Sequence, residues 1–149
     1  MKARDVMTRN PEVVLPEEGL DRAAEIMERL DVGIVPVVDD RTGMRLRGVI
    51  TDRDIAIRHV AKRHQLDCRV RDHMTADHLD VVHPDTDVHD VVGRMAHDQL
   101  RRIPVTEDGH RLVGIIAQAD IARRVGPGEP REVEEMLQRI SEPRPERQP

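Results

Sequence analysis

Residues 48–56 have the sequence GVITDRDIA, and residues 114–122 have the closely similar sequence GIIAQADIA. The stretch ARDVMT at residues 3–8 also returns, as VRDHMT at residues 70–75. Four residues between these blocks recur as well: Pro16, Met27, Pro36 and Val37 return as Pro84, Met95, Pro104 and Val105. Matching blocks in one order indicate a tandem repeat with copies of about 60 residues. We assign the copies to residues 3–66 and 67–125.

Each copy is predicted to form a strand, a helix, two strands and a second helix. In the first copy, residues 13–15 are a short apolar run, and apolar residues recur at helical spacing from Leu20 to Leu30. Residues 34–38 and 46–50 favour strands joined by a polar turn at residues 39–43. Pro36 suits an edge or bulge position. The second helix is expected to begin at Thr51 and to end near Lys62, which gives a mixed α/β unit with a small sheet.

Residues 126–149 are predicted to form a linker, a helix and a tail. Gly126, Pro127 and Gly128 interrupt the chain, and Pro130 suits the first turn of a helix. An apolar stripe at helical spacing then indicates an amphipathic helix that packs on this chain or on another subunit; it comprises Val133, Met136, Leu137 and Ile140. From Ser141 onward the chain has three prolines and no apolar run, so we expect disorder.

Composition excludes several classes of function. The 149 residues include 24 Lys plus Arg against 29 Asp plus Glu, and this negative balance disfavours binding to nucleic-acid phosphates. With no Phe, Trp or Tyr, the chain cannot bind single strands by stacking on aromatic rings. No apolar run approaches the roughly 20 residues that span a membrane. The single cysteine, Cys68, cannot form an internal disulfide, which favours the reducing cytoplasm. No nucleophile, Walker or zinc-protease motif indicates an enzyme.

The order of elements, with DVMT at residues 5–8, IVPVVDD at residues 34–40 and GVITDRD at residues 48–54, resembles the cystathionine-β-synthase (CBS) domain. The two copies together resemble a CBS pair, or Bateman module. This resemblance implies an α+β fold in which two β-α-β-β-α repeats pack about a pseudo-twofold axis, here followed by a C-terminal helix. It also implies two clefts that bind AMP, ADP, ATP or S-adenosylmethionine, and a homodimer.

Thr51 and Asp54 are the main candidate binding residues. The resemblance implies that the Thr hydroxyl contacts the ribose-phosphate and that the Asp holds the ribose. Independently, free N–H groups at the start of a helix attract phosphate, and an acidic residue nearby suits the ribose hydroxyls. The alternative is a capping box that needs no ligand, since Thr-x-x-Asp is close to that motif. The second copy has Ala117 in place of the threonine but keeps Asp120.

The resemblance implies that each cleft combines the Asp of one repeat with strands of the other. The Asp54 cleft would include Thr75, Arg101 and Arg102; the two arginines would pair with phosphates or remain solvated surface charges. The Asp120 cleft would be formed by Thr8, Val13, Val32 and Gly33. It has no basic residue at these positions and no motif hydroxyl. We therefore expect unequal sites, with the Asp120 cleft empty or selective for a less charged adenosine.

The eight histidines are candidate metal ligands. Only His64 and Cys68 have the i, i+4 spacing of two ligands on one helical face, with His73 as a third candidate. Because residues 63–69 are typical of a linker, we expect exposed histidines and no metal site. Cys68 is expected to be a lone thiol or to form an intermolecular disulfide.

These observations predict a stand-alone regulatory protein without an obligatory cofactor. It would bind an adenine nucleotide and report it through conformation or assembly, with a separate effector protein as a candidate partner and neither nucleic acid nor membrane involved. The alternative is a dimeric protein-interaction module with vestigial clefts, which the C-terminal stripe favours.

Overall fold

The computed structural model describes residues 1–65, 67–125 and 130–142. The chain forms two compact units. Unit 1 comprises Met1–Arg9, Val81–Val105 and the chain from Gly114 onward, and unit 2 comprises Asn10–Asp80 and Thr106–Val113. The compact units therefore cut across the two sequence repeats. Each unit takes most of its residues from one copy and a short segment from the other.

The helices and strands follow the order expected for two related copies. The first half contains α1 (Ala3–Val6), β1 (Thr8–Arg9), α2 (Leu20–Leu30), β2 (Ile34–Val38), β3 (Leu46–Thr51), α3 (Asp52–Asp54) and a π-helix (Ile55–Val60). The second half contains α4 (Val70–His73), α5 (Val88–Asp98), β4 (Arg102–Glu107), a 3₁₀ turn (Asp108–His110), β5 (Arg111–Ala117), α6 (Gln118–Val125) and α7 (Pro130–Ser141).

In unit 2, helix α2 packs against a small sheet. Strands β2 and β3 are antiparallel, from Ile34 opposite Thr51 to Val38 opposite Leu46. Their register shifts directly after Val37, next to Pro36, as the proline predicted. Val14 adds a parallel bridge to Val37, which confirms an extended segment in the predicted first strand. The core contains only aliphatic residues and methionine; it comprises Val14, Leu20, Ala23, Ile26, Met27, Val35, Val37, Ile50 and Val70.

In unit 1, β5 is the central strand of a three-stranded sheet and lies between β1 and β4. Thr8 pairs with Ile115 and Arg9 with Gly114, so the first residues of the chain complete a sheet that otherwise comes from the second copy. Helix α5 is capped by Asp87, whose carboxylate accepts a hydrogen bond of 2.9 Å from the His89 N–H. Its buried face comprises Val88, Val91, Val92, Met95 and Ala96.

Helix α7 confirms the predicted helix that begins at Pro130, and its Ile140 is buried. The side chains of the other stripe residues lie outside the described part of the structure; they are Val133, Met136 and Leu137. The tail predicted to be disordered begins at Ser141, but Ser141 is the last residue of α7, so this prediction is wrong at its first residue. The predicted breaker at residues 126–128 and the part of the tail beyond residue 142 lie outside the described residues. No helix within the described ranges is long and apolar enough to cross a membrane.

The predicted helix from Thr51 to Lys62 is present, but most of it is not an α-helix. After the three residues of α3 the chain continues as the π-helix, with hydrogen bonds from Ala61 N to Ala56 O (2.9 Å) and from His64 N to His59 O (3.1 Å). These bonds span five residues instead of four, which widens the turn. The wider turn carries His59 to a buried position, whereas Val60 is 65% exposed. π-Helical turns of this kind are rare and often occur at functional sites.

Candidate ligand site and histidine–cysteine cluster

Thr51 and Asp54 form a complete capping box at the start of α3. The Thr51 Oγ1 accepts a hydrogen bond of 3.0 Å from the Asp54 N–H. In return, Asp54 Oδ2 accepts a hydrogen bond of 3.1 Å from the Thr51 N–H. Asp54 is only 8% exposed. The structure therefore confirms the capping box that the sequence suggested. If Asp54 also binds a ligand, it has to do so while it keeps these capping hydrogen bonds.

Thr75 joins this pair from a distant part of the sequence. Its Oγ1 donates to the Asp54 carboxylate, at 3.3 Å from both oxygens. Its backbone pairs with Val49 through hydrogen bonds of 2.8 Å and 2.9 Å. This close approach needs Gly48, because a Cβ there would lie 2.5 Å from the Thr75 carbonyl oxygen. The structure thus brings together three of the predicted site residues within unit 2; we call Thr51, Asp54 and Thr75 the Asp54 cluster.

Arg58 belongs to the same neighbourhood, although sequence analysis did not single it out. Its Nε lies 3.5 Å from Asp54 Oδ1, and its Nη1 lies 3.4 Å from the Met74 carbonyl oxygen. The sequence could have indicated this contact, because oppositely charged residues at i and i+4 of a helix lie side by side. The half-exposed guanidinium places a positive charge beside the carboxylate.

Asp120 in unit 1 has a reduced version of these contacts. Its Oδ2 accepts a hydrogen bond of 2.9 Å from the Ala117 N–H, which matches the bond between Asp54 and Thr51. Ala117 has no hydroxyl to donate or accept, and Arg123 lies 3.1 Å from Asp120 Oδ1. The Thr8 backbone pairs with Ile115, as Thr75 pairs with Val49, but the Thr8 side chain is exposed.

The remaining predicted site residues are divided between the two units. Arg101 and Arg102 belong to unit 1, where the Arg101 carbonyl accepts a hydrogen bond of 2.9 Å from the Gln118 N–H. Val13, Val32 and Gly33 belong to unit 2, where the Gly33 carbonyl accepts a hydrogen bond of 2.9 Å from the Asp52 N–H. The grouping of these residues with Asp54 or with Asp120 stays a prediction.

The structure also brings together four residues that the sequence analysis did not expect to form a site. The ligating atoms of His59, His64, Cys68 and His73 all lie within 4.8 Å of one another. His59 Nδ1 and His64 Nδ1 each lie 3.3 Å from His73 Nε2. Cys68 Sγ lies 4.0 Å from His64 Nδ1. His64, Cys68 and His73 were considered together, but the i, i+4 criterion omitted His59, which the π-helix places among them.

Two pKa values in this histidine–cysteine cluster are shifted. Burial lowers the pKa of His73, and the neighbouring imidazoles of His59 and His64 lower it further, so the ring is neutral at neutral pH. Burial raises the pKa of the Cys68 thiol, and the negative charges of Asp72 and Asp67 act in the same direction. The free thiol is therefore protonated at neutral pH, which argues against Cys68 as a reactive thiolate.

Comparison with known proteins agrees with the two-copy organisation. The family model of the CBS domain matches twice, at residues 3–59 and 70–126. The chain belongs to the CBS domain family. This CBS pair is 35% identical over 123 residues to hypoxic response protein 1 of Mycobacterium tuberculosis, covering 83% of this chain and 84% of that protein.

Solved structures of other CBS pairs have the same fold. A crystal structure of Hypoxic Response Protein I with two coordinated zinc ions matches with a TM-score of 0.73 at 34% identity, over 83% of this chain and 98% of that one. CBSX2 in complex with AMP matches with a TM-score of 0.71 at 28% identity, over 83% and 95%. The CBS pair of MJ0100, in complex with 5-methylthioadenosine and S-adenosylmethionine, matches with a TM-score of 0.72 at 28% identity, over 87% and 98%.

Proposed function

We propose that this CBS pair is a regulatory protein that binds an adenosine nucleotide with the Asp54 cluster. The observation that carries the proposal is a buried carboxylate, Asp54, held at a helix start by Thr51 from one copy and by Thr75 from the other. The AMP complex of CBSX2 and the S-adenosylmethionine complex of MJ0100 support an adenosine ligand. The protein would act by linkage, since a ligand shifts an equilibrium toward the state that it binds better.

The chemistry of Asp54 is compatible with both its capping role and a ligand. A carboxylate offers about four lone-pair sites, and Thr51 N–H and Thr75 Oγ1 are its two hydrogen-bond donors in unit 2. Capacity for ribose hydroxyls therefore remains. Arg58 beside the carboxylate adds positive potential for a phosphate.

The resemblance to CBS pairs extends the proposal to residues outside this cluster. Arg101 and Arg102 are proposed as phosphate partners, so ligands with one, two or three phosphates would bind with different affinity. Asp120, with Thr8, Val13, Val32 and Gly33, is proposed as the weaker site. We further propose that the protein is a cytoplasmic homodimer without catalytic activity. Its output would be its own assembly or a separate effector protein.

Asp54→Ala tests the proposal, with Asp52→Ala as the matched control. Both changes remove one negative charge from α3, but the Asp52 side chain is exposed and accepts a local hydrogen bond, from the Arg53 N–H. Hydrogen bonds to a charged group contribute about 1.5–3 kcal/mol, so Asp54→Ala should weaken AMP, ADP or ATP binding by about 10- to 100-fold. Equilibrium dialysis is convenient, because the chain has no aromatic absorbance to obscure adenine.

The controls separate a ligand site from a structural cap. Circular dichroism checks that Asp54→Ala retains its fold, and Asp54→Asn, which keeps the size of the side chain, covers the case in which it does not. Equal affinity in Asp54→Ala and Asp52→Ala would contradict the proposed site. Absence of binding by the unmodified protein, even at millimolar nucleotide, would favour the dimeric interaction module.

A further inference from the structure

The histidine–cysteine cluster consists of four potential ligands from a single short stretch of unit 2. His59 lies in the π-helix, His64 and Cys68 lie in the turn that follows it, and His73 is the last residue of α4. Three imidazoles and one thiol form the kind of nitrogen and sulfur donor set that binds Zn²⁺ and related divalent ions. The four side chains come from a π-helix, from the segment that follows it and from an α-helix. The spacing of residues along a single helix therefore does not explain why they meet.

The distances agree with ligands arranged around one metal ion. With metal–nitrogen bonds of about 2.05 Å, two nitrogens at a tetrahedral angle are separated by about 3.3 Å, and a nitrogen and a sulfur by about 3.6 Å. His73 Nε2 lies 3.3 Å from both His59 Nδ1 and His64 Nδ1. Cys68 Sγ, at 4.0 Å from His64 Nδ1, has to move by a few tenths of an ångström, and a pair of ligating atoms at the 4.8 Å limit of the cluster has to close by about 1 Å.

Hydrogen bonding alone explains this geometry less well. A ring nitrogen carries either one proton or one lone pair, so it makes one good hydrogen bond. His73 Nε2 nevertheless faces two partners at the same distance, His59 Nδ1 and His64 Nδ1. Convergence of three ring nitrogens is expected when their lone pairs point at a common cation.

The first copy provides an internal control for what the fold requires. His73 corresponds to Val6 in the repeat, and both side chains are buried, at 3% and 2% exposure. An aliphatic residue therefore satisfies packing at the end of this short helix. Burial of imidazoles without compensation is unfavourable. His59, which is 8% exposed, adds a second buried ring to the same place.

We propose that His59, His64, Cys68 and His73 bind one divalent transition-metal ion, best suited to Zn²⁺, in a closed tetrahedral site. Cys68 binds as the thiolate, and its proton passes to solvent. Four protein ligands leave no open position, which is typical of a structural and not a catalytic centre. The metal would fasten the turn after the π-helix to α4, and α4 leads directly to Thr75.

Titration of the metal-free full chain with Co²⁺ tests the site. We expect saturation at one equivalent, intense visible bands of tetrahedral cobalt and a thiolate-to-cobalt band in the near ultraviolet, where a chain without aromatic residues is transparent. Zn²⁺ should displace Co²⁺ stoichiometrically. Binding of several equivalents without saturation, or octahedral spectra, would overturn the proposal.

Variants identify the ligands. His64→Ala removes an exposed ligand and His73→Val copies the first repeat, so both should fold. Each should weaken metal binding by well over tenfold, because even the loss of a residue outside the ligand set typically lowers metal affinity 10- to 100-fold. Cys68→Ser should abolish the thiolate band. His97→Ala, an exposed histidine of α5, is the matched control and should bind normally. Equal losses in His97→Ala and His64→Ala would contradict the assignment.

Discussion

The starts of α3 and α6 share one hydrogen bond between an aspartate and the backbone, but only the start of α3 has further side-chain contacts around that aspartate. In both, an aspartate accepts a hydrogen bond from the N–H three residues earlier, at 3.1 Å for Asp54 and 2.9 Å for Asp120. Only Asp54 also has the returning bond from its own N–H to a threonine hydroxyl and a second threonine against its carboxylate. The shared bond is what the fold needs at this point. The additional groups around Asp54 are therefore the better candidates for function.

The two glycines that precede these helices should differ most when each is replaced by alanine. A Cβ at Gly48 would lie 2.5 Å from the Thr75 carbonyl oxygen, whereas a Cβ at Gly114 would lie 2.5 Å from Met7 Sδ and 3.0 Å from the Thr8 carbonyl oxygen. Backbone cannot move as easily as a methionine side chain. Overpacking costs roughly 1–3 kcal/mol, so we expect Gly48→Ala near the upper value and Gly114→Ala near the lower one. Urea denaturation measures both, and a reversed order would contradict the argument that the Thr75 carbonyl yields less easily than the Met7 side chain.

The Thr51 hydroxyl, which Ala117 lacks, should produce the second largest difference in the free energy of unfolding between the two copies. Thr51→Ala converts the first box into the form found at Ala117 and should lower the free energy of unfolding by about 1 kcal/mol, within the range measured for N-caps. Ala117→Ser, the reciprocal change, should raise it by a smaller amount, because Ala117 is buried and the added hydroxyl must be accommodated. Thermal denaturation of the two variants without ligand compares them. No loss in Thr51→Ala would mean that the capping bond is not maintained in solution.

The smallest differences in stability are expected from glycine substitutions at the C-terminal ends of α2 and α5. Both helices end at a left-handed residue that is not glycine: Asp31 has φ 53° and Gln99 has φ 52°. Glycine adopts this conformation without steric cost. Asp31→Gly should therefore stabilise the protein by about 0.5–1 kcal/mol. Gln99→Gly should stabilise it less, because it also removes the hydrogen bond of 3.3 Å from Gln99 Nε2 to the Glu142 carbonyl oxygen. Chemical denaturation gives the two values. Destabilisation by either change would show that the replaced side chain has a role of its own.

Local and repeated features were predictable from the sequence. The helix Leu20–Leu30 follows from apolar spacing, and the register shift beside Pro36 follows from the missing N–H. The sequence repeat aligns Gly48 with Gly114. In the structure both glycines lie close to neighbouring backbone, at Thr75 and at Thr8. The short helices α1 and α4 were missed, although an aspartate at the same place in each copy, Asp5 and Asp72, caps both.

The histidine–cysteine cluster was not predictable by the same means. An i, i+4 search assumes an α-helix, whereas His59 lies in a π-helix with five-residue hydrogen bonds. His73 reaches the cluster only because α4 packs beside that helix in unit 2. Thr75 likewise meets Asp54 through pairing with Val49, a long-range contact that no local pattern encodes. Tertiary packing decides both sites.

The pairing of Thr8 with Ile115 has a consequence for how the chain folds. Thr8 and Arg9 are synthesised more than a hundred residues before the part of β5 with which they pair, so this part of the sheet cannot form until β5 has been made. Closing so long a loop slows folding more than it lowers stability. Unit 2, by contrast, draws most of its residues from one continuous segment, Asn10–Asp80. The sequence repeat is therefore not the unit that packs together, because unit 1 combines the first nine residues with segments of the second copy.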